Sequence, residues 1–358
     1  MPLVFVVAAW LPSADAGAAR PDDAILARQA ALDRAGFSPG VIDGVAGAKM
    51  TLAVREFQAA HGLAVTGGFD ARTLAALGVE HAPLTVEYRI TAADLRDIGP
   101  VPRGWKAKAG VDRLRYESLL ALLAERGHCK SDVVRRLNPH CEWKRRWAGD
   151  SVVLPNVTPQ RVAEPVAAIE VDLGQKVVRA KDGHGHTIAR FPCSIARFAA
   201  KRPRGTACIT SVAFDPEYRF KPAMWPEVHG IPSDLRIPPG PRNPVGLCWI
   251  GLSLPGYGIH GTPNPELIGK TGSHGCIRLT NWDAVRLGRM VRVGTPVRFV
   301  AGESAAAPAP GPRAHVAVSH SPAARRAAPH QSAVRTAAPS RALRPAAPRP
   351  AKEETPWD

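Results

Sequence analysis

Two histidines and a cysteine lie among glycines in the stretch Gly258-Ile259-His260-Gly261-Thr262 and, further along, Ser273-His274-Gly275-Cys276-Ile277-Arg278. A packed core does not require this combination of residue types. A free thiol has a pKa of about 8.5, so an attacking cysteine needs a base nearby to form its thiolate. Glycine at 275 allows the backbone amides of Gly275 and Cys276 to approach a substrate carbonyl and its developing oxyanion. The stretch therefore predicts a cysteine nucleophile, Cys276.

The spacing leaves the choice of base open between the two histidines. His274 lies two residues before Cys276, and in an extended segment both side chains fall on one face. His260 has to be brought to the cysteine by the fold, so spacing favours His274. A zinc site built from His260, His274 and Cys276 is an alternative, with Asp283 available as the fourth ligand.

Short β-rich runs surround this stretch and are separated by turn residues. They predict a mainly-β unit over residues 166–301, either a mostly antiparallel sheet or a β-sandwich. A Pro-rich insert at 215–243 interrupts the runs and contains Tyr218, Trp225 and His229. The insert has the length of a lid or a groove wall rather than a tight turn. Its aromatic residues are equally suited to packing on the sheet.

Residues 22–79 have helical apolar spacing on both sides of a Gly-rich turn at 40–47. This spacing predicts a small all-α domain of three helices. Asp70 is suited to cap the last of them, at 71–77, because a carboxylate accepts hydrogen bonds from the free amides of a helix start.

Residues 81–157 form a second predicted unit with a different pattern. A strand-like run at 85–90 precedes helical runs at 116–126 and 130–137, and a second strand at 151–154 closes the unit. This order predicts a small α+β unit, and a plain spacer is the alternative.

The two ends of the chain differ from these units. The apolar run from Leu3 to Leu11, followed by small residues at 14–18, predicts a secretory signal peptide over residues 1–18, and an apolar strand is the alternative. Residues 303–358 are dominated by Ala, Pro, Ser and Arg, which cannot bury enough apolar surface to offset the entropy of ordering. We expect a disordered basic tail there and an exported product.

The formal net charge of +16 and the pI of about 10.2 favour a polyanionic partner. Nucleic acid, an anionic membrane and an anionic wall polymer all fit that charge. Export would separate the protein from nucleic acid, so we expect no nucleic-acid partner.

The six cysteines do not form the short CxxC pairs of a zinc site. Cys129 and Cys141 are close enough along the chain to form a disulfide. If Cys276 stays unpaired, three cysteines remain, Cys193, Cys208 and Cys248. They form either one disulfide and one buried thiol or three buried thiols.

The pattern of His260 followed by Ser273-His274-Gly275-Cys276 and then by Arg278 and Asn281 resembles the L,D-transpeptidase catalytic domain. The resemblance implies that Cys276 is the nucleophile and that His260 is the base and acid, while His274 orders the site. We follow the resemblance for His260.

The same resemblance assigns the remaining site residues. Ser273 and Gly275 shape the substrate and oxyanion region, and Arg278 holds a stem-peptide carboxylate. Asn281 belongs either to the substrate contacts or to a turn or cap. No cofactor and no metal are implied.

Two further resemblances concern the other units. Three short sequence motifs resemble those of a peptidoglycan-binding domain: Ala35-Gly36-Phe37, Ile42-Asp43-Gly44 and Glu56-Phe57-Gln58. The ending at 149–156 resembles that of a lysin motif. Together they imply a multidomain, periplasmic, cell-wall-associated enzyme.

The resemblances imply acyl transfer between peptidoglycan stem peptides, forming 3-3 cross-links or anchoring a wall lipoprotein. They also imply that carbapenems inhibit the protein. An L,D-carboxypeptidase and a catalytically inactive wall-binding scaffold are the alternatives, and the oligomeric state is left open.

Overall fold

The computed structural model describes residues 21–80, 82–159, 166–225 and 228–302. We call 21–80 the helical unit, 82–159 the middle unit and 166–302 the β unit. The predicted signal peptide and the predicted tail lie outside the described residues. Among the residues that are described, no helix is both long enough and apolar enough to cross a membrane.

The helical unit consists of α1 (Pro21–Arg34), α2 (Ala48–Ala60) and α3 (Ala71–Leu77). Its small core is centred on Phe37 and Phe57, whose rings meet edge to face with centroids 5.4 Å apart. The predicted cap of α3 is confirmed, because the Asp70 carboxylate accepts a 2.8 Å hydrogen bond from the Thr73 amide. Sequence periodicity predicted the three helices, although α1 is buried on all sides over residues 29–34, including the polar Gln29, Asp33 and Arg34.

The middle unit pairs β1 (Thr85–Arg89) with β2 (Ser151–Pro155) in antiparallel register, Thr85 opposite Pro155. Between them lie the helices α6 (Leu119–Arg126) and α7 (Ser131–Leu137), which correspond to the two predicted helical runs. Two helices of five residues each were not predicted, α4 (Ala92–Arg96) and α5 (Trp105–Ala109). Helices this short show no clear periodicity. The relation to a lysin motif stays a prediction.

The β unit forms an eight-stranded sheet, within the described residues, in the order β11-β10-β9-β6-β12-β3-β4-β5. Most neighbours are antiparallel, but β12 with β3 and β10 with β11 are parallel. One helix, α8 (Asn281–Met290), follows β11 and begins at a Thr280 cap. The strands of this sheet are β3 (Ala168–Asp172), β4 (Val177–Lys181), β5 (Thr187–Pro192), β6 (Gly205–Phe214), β9 (Cys248–Leu252), β10 (Gly258–His260), β11 (Ile277–Arg278) and β12 (Pro296–Val300). Two further strands, β7 (Tyr218–Phe220) and β8 (Leu235–Ile237), pair with each other in a separate antiparallel hairpin.

The predicted β-sandwich is corrected to a single curled sheet. Val178 and Phe191, from one end of the strand order, share a core with Ile259 and Ile277 from the other end. Strands at opposite ends of a flat sheet do not meet, so the sheet curls over one core. Alternating apolar residues predict strands with one buried face but do not show whether two sheets or one curled sheet bury it.

The helical unit joins the β unit through main-chain pairing and a buried cation. The Arg190 amide donates to Gly36 O at 2.9 Å, and Ser38 N donates to Arg190 O at 3.1 Å. The Arg190 guanidinium, 1% exposed, donates to Ser38 O at 2.9 Å. The helical unit is tied to the middle unit in the same way, since Ile42 N donates to His128 O at 2.9 Å.

Candidate active site

Strand pairing determines which side chains share the face of the sheet at its β11 end. In the parallel pair of β10 and β11, Ile259 lies opposite Ile277 and His260 opposite Arg278. Both isoleucines are fully buried in the core. Because successive side chains alternate between faces, His260 and Arg278 lie on the face opposite the core, and Trp249 of β9, the partner of His260, joins them.

Cys276 directly precedes β11 and lies beside the start of β10. Its Sγ is 3.6 Å from Gly256 O, to which the thiol donates. Burial raises the pKa of the Cys276 thiol, while a backbone hydrogen bond with Gly258 and the charge of Arg278 act in the lowering direction. The resting group is therefore a protonated thiol, and attack on a substrate requires a base.

His260 is 5% exposed, and its Nδ1 lies 2.6 Å from Gly261 O. A carbonyl oxygen only accepts, so Nδ1 carries the proton and the neutral ring keeps its lone pair on Nε2. Burial lowers the pKa of His260 to about 4, and the charge of Arg278 adds to this effect. The Trp249 ring stacks on the imidazole with centroids 5.7 Å apart. At neutral pH, His260 is therefore a neutral imidazole with one fixed tautomer, which suits a general base.

The segment 273–276 is a bend, and β11 begins only at Ile277. The prediction that this segment is extended, which favoured His274 over His260 as the base, is therefore wrong. Ser273 holds the bend, because its hydroxyl donates to Cys276 O at 2.5 Å and its amide donates to Ile195 O at 2.9 Å. Chain spacing predicts side-chain direction only in regular structure, which this segment lacks.

Gly275 leaves open space in the middle of this bend. A Cβ placed there would meet only the Tyr257 ring, at 3.6 Å, which is an ordinary contact distance. The protein itself therefore tolerates a side chain at 275. The space that the glycine leaves lies beside Cys276, where a substrate carbonyl would approach.

The Pro-rich insert borders the site with two of its three named aromatic residues. We call β7, β8 and the described residues between them the aromatic hairpin. Its Trp225 ring meets the His274 ring with centroids 4.2 Å apart. Burial raises the pKa of Tyr218 to about 12, and the charge of a thiolate at Cys276 acts in the same direction. His229 is exposed.

Arg278 is 5% exposed, and its guanidinium holds the loop that precedes the bend. Nη2 donates to Thr271 O at 3.2 Å, to Thr271 Oγ1 at 3.0 Å and to Gly272 O at 3.0 Å. Arg278 thus fixes the entry of the segment that carries Ser273 and Cys276.

Asn281 lies at the start of α8 and is fully buried. Its Nδ2 donates to Glu125 Oε2 at 3.0 Å and to Pro241 O at 3.2 Å, and its Oδ1 accepts from Leu247 N at 3.1 Å. The amide thus bonds to three segments of the protein, one of them in the middle unit. Strand pairing places His260 on β10 next to β11, which follows Cys276 directly, and Ser273, His274 and Gly275 lie in the same segment as Cys276. The side chain of Asn281 instead bonds to other segments.

Residues 167–299 match the L,D-transpeptidase catalytic domain family, and residues 21–77 match a peptidoglycan-binding domain family. Residues 167–299 belong to the L,D-transpeptidase family. The expected family of the helical unit is found as well.

Known relatives carry the same family name. The protein is 29% identical over 161 residues to the L,D-transpeptidase YkuD of Bacillus licheniformis, a match covering 45% of this chain and 80% of the relative. It is 51% identical over 57 residues to YkuD of Bacillus subtilis and 38% identical over 100 residues to the L,D-transpeptidase YqjB of that species. These matches cover 16% and 26% of this chain, and 35% and 49% of the Bacillus subtilis relatives.

A solved L,D-transpeptidase from Xylanimonas cellulosilytica is 17% identical, with a TM-score of 0.32, covering 77% of this chain and 93% of that one. L,D-transpeptidase 3 of Mycobacterium tuberculosis, solved with a faropenem-derived adduct, is 16% identical, with a TM-score of 0.31, covering 43% and 75%. At such low TM-scores the overall superposition is poor. The family assignment rests on the sequence matches.

Asp283, the fourth ligand of the zinc alternative, lies at the contact of the L,D-transpeptidase domain with the helical unit. It is 1% exposed, and its Oδ2 accepts a 3.0 Å hydrogen bond from Ser38 Oγ. Burial raises the pKa of Asp283 to about 7, and the nearby carboxylate of Asp33 adds to the shift. In the described part of the chain, no three His, Cys, Asp or Glu side chains are grouped as a metal site requires.

The six cysteines all lie in described residues, and each is a free thiol. The disulfide between Cys129 and Cys141 that the sequence allowed is therefore not formed. Cys193 and Cys248 are fully buried in the core of the L,D-transpeptidase domain, where burial raises each thiol pKa to about 12. Such thiols are poor nucleophiles at neutral pH.

Two residues were missed in the sequence: Trp249, which contacts the site of the L,D-transpeptidase domain, and Trp105, which contacts the aromatic hairpin that borders it. Trp249 stacks on His260 because β9 pairs with β10, and no local pattern shows that pairing. Trp105 lies in α5 of the middle unit and stacks on Phe220 of the aromatic hairpin. A tryptophan in a short helix far along the chain gives no signal of its partner.

Proposed function

We propose that the protein is a peptidoglycan L,D-transpeptidase in which Cys276 is the nucleophile and His260 is the general base and acid. The observation that carries the proposal is the state of His260. Its Nδ1 is held by Gly261 O, and its lowered pKa keeps Nε2 unprotonated at neutral pH. The neighbouring Cys276 is a thiol that needs such a base.

In the first half-reaction, Nε2 of His260 takes the thiol proton as Sγ attacks the carbonyl between the diamino acid and the terminal D-alanine of a tetrapeptide stem. A carbon–sulfur bond forms, and the carbonyl electrons move onto oxygen. The carbon–nitrogen bond then breaks as His260 gives the proton to the leaving amine. D-alanine departs, and a thioester remains on Cys276.

In the second half-reaction, the side-chain amine of another stem's diamino acid attacks the thioester, and His260 takes the amine proton. The carbon–sulfur bond breaks, and the proton returns to the thiolate. The product is a cross-link between two third residues. A lysine of a wall lipoprotein as acceptor gives protein attachment, and water gives carboxypeptidase activity.

The remaining site residues have supporting roles in this proposal. The amides of Gly275 and Cys276 face the developing oxyanion, and one such donor contributes roughly 3 kcal/mol of transition-state stabilisation. Ser273 holds the bend that presents them. Arg278 fixes the preceding loop through Thr271 and brings a positive charge that favours a stem carboxylate.

The peptidoglycan-binding domain supports a location at the cell wall. We propose that it holds the enzyme on the polymer that supplies its stem peptides, in the periplasm after export. Such tethering raises the local concentration of substrate without changing the site. The rival function, a wall-binding scaffold without catalysis, would use the same contact.

Acylation by a carbapenem tests the nucleophile. We expect the wild-type protein to gain the mass of one carbapenem, because a thiolate opens the strained lactam as it would attack an amide. Cys276→Ala should gain none, and Cys208→Ala, which removes another partly exposed thiol, should gain the full adduct. Intact-mass spectrometry with circular dichroism as a folding control reads the result. Undiminished adduct on Cys276→Ala would overturn the proposal.

Sacculi incubated with the purified enzyme distinguish the products. Mass spectrometry of the released muropeptides should show 3-3 linked dimers and free D-alanine. Tripeptides without dimers would assign the carboxypeptidase alternative. Binding to sacculi with unchanged muropeptides would favour the inactive scaffold.

A further inference from the structure

The middle unit and the aromatic hairpin share one apolar core, although the chain between them forms four of the eight strands of the sheet, β3 to β6. Leu114 of the middle unit is fully buried together with Phe220 and Ile237 of the hairpin. Trp105 packs against this core from the middle unit, and Trp225 packs against it from the hairpin. The hairpin therefore has no separate core of its own and depends on residues 105–114 for its packing.

The base of the hairpin is attached to the middle unit by main-chain hydrogen bonds. Leu114 N donates to Pro239 O at 2.9 Å, and Arg242 N donates to Leu114 O at 3.1 Å. The chains approach so closely that a Cβ at Gly240 would lie 2.3 Å from Leu114 O. Glycine is required there for that reason and for its φ of +131°. An ion pair between Arg113 and Asp215 reinforces the attachment.

Aromatic rings lead from the middle unit to the site. The Trp105 ring stacks on Phe220 with centroids 3.9 Å apart and planes 13° apart. Trp225 lies 6.1 Å from each of these two rings. Trp225 also meets the His274 ring, with centroids 4.2 Å apart. Ring contacts of this kind are favourable beyond the area they bury, and they have a defined geometry.

We propose that Trp105 is a positioning residue for the transpeptidation site, which makes the middle unit part of the active-site architecture. Trp105 fixes Phe220, the pair fixes Trp225, and Trp225 sets the position of His274 in the bend that ends at Cys276. The proposal rests on the proposed function. It differs from a wall-binding or spacer role for the middle unit, because neither role requires a contact that reaches His274.

The hairpin also interacts with the nucleophile through charge. Tyr218 begins β7 and receives a side-chain hydrogen bond from Trp225, and the charge of a Cys276 thiolate acts to raise the pKa of Tyr218. Loss of the stack at Trp105 frees Trp225 and with it the Tyr218 hydroxyl. Small displacements of this kind lower the reaction rate strongly, because the reacting groups must lie within a fraction of an ångström of their productive geometry.

Trp105→Ala in the full chain tests this role. We expect the second-order rate of Cys276 acylation by a carbapenem to fall between about tenfold and a hundredfold. Trp105→Phe keeps a stacking ring and should restore most of the rate. Trp147→Ala is the matched control, because Trp147 belongs to the same unit but is 72% exposed, and its rate should stay within about twofold of wild type.

A double-mutant cycle tests the route through Trp225. If Trp105 acts through Trp225, Trp105→Ala combined with Trp225→Ala should be no slower than Trp225→Ala alone. If Trp105 instead acts independently of Trp225, the rate factors lost in the two single variants should multiply in the double variant. Should Trp105→Ala fail to fold, Phe220→Leu removes the same stack while it keeps an apolar core residue, and its acylation rate should fall by a similar factor.

The two proposals fail in different ways. Absence of acylation in the wild-type protein would contradict the proposed function. An active wild type with a Trp105→Ala rate within about twofold of it, or with multiplied losses in the double variant, would overturn the role of Trp105 alone.

Discussion

The two histidines of the site are held by different parts of the molecule. His260 lies on β10, with its ring fixed by Gly261 O and by the Trp249 ring of the neighbouring strand. His274 lies in a bend and meets Trp225, whose hairpin is packed against the middle unit. The surroundings of His260 come from one sheet, whereas those of His274 depend on contacts between units.

This difference separates chemistry from positioning. Burial lowers the pKa of His260 and its tautomer is fixed, so at neutral pH the ring is in the neutral form that can accept a proton on Nε2. The contact of His274 with Trp225 is apolar on the indole side and links the bend to the rest of the protein. The register of a sheet resists change, because a slip by one residue moves every side chain of the strand to the opposite face. A hairpin that packs on the core of another unit moves when that core changes.

The largest expected effect is the contrast between the two histidine variants. His260→Ala should slow carbapenem acylation by about a thousandfold, because a positioned base contributes 10² to 10⁴. His274→Ala should slow it by about tenfold, since only the position of the bend is lost. Stopped-flow loss of carbapenem absorbance measures both rates.

Two exposed histidines serve as controls for this contrast, His184 in the turn after β4 and His229 in the aromatic hairpin. Their alanine variants should acylate like the wild type. Equal losses for His260→Ala and His274→Ala would remove the proposed division of roles, and a larger loss at His274 would reverse it.

The pH dependence of acylation sharpens the same comparison. The folded-state pKa of His260 is lowered from 6.5 to about 4, so its neutral, proton-accepting form persists as pH falls and is lost only near pH 4. At pH 5 an unperturbed histidine would be about thirtyfold less available as a base. The acid limb of the acylation rate should therefore have its midpoint near 4.

Trp249→Ala tests the cause of that lowered pKa. Removing the stacked ring admits water to the imidazole and reduces the burial that disfavours its charged form. The acid limb should move upward toward 6.5, while the limb of His274→Ala should stay where it is in the wild type. An unchanged limb in Trp249→Ala would show that the ring does not set the pKa.

The sequence predicted most elements but not the contacts between units, and its prediction of Cys276 as the nucleophile is the one that the acylation experiments test. Cys276 was identified from residue types alone, because a cysteine and two histidines among glycines have few structural uses. Helical and alternating patterns predicted the elements that bury one face each. The bend at 273–276 was read as extended, since its shape depends on a Ser273 hydroxyl and on Ile195 from a distant segment.

The contacts of the aromatic hairpin and the curl of the sheet could not be read from local patterns. The curl results from strands at opposite ends of the order meeting in one core. The stack of Trp105 on Phe220 joins residues from different units. Local periodicity contains no information on such pairings, whose free energy comes from tertiary packing.

Asn281 gives the smallest expected effect on the rate and a measurable one on stability. Its amide bonds to Glu125, Pro241 and Leu247, so Asn281→Ala leaves buried polar groups without partners. We expect the free energy of unfolding to fall by about 2 kcal/mol in urea titrations. Acylation at 25 °C should stay within about threefold of wild type, because the strand pairing that presents His260 is unchanged.

Asn264→Ala is the matched control for this variant, because Asn264 is only half-buried and its stability should change little. A loss of acylation in Asn281→Ala as large as that of His260→Ala would assign Asn281 to the substrate or oxyanion contacts that the family resemblance allowed. A loss of stability alone would place it with Trp105, among the residues through which the middle unit supports a site whose chemistry lies on the sheet.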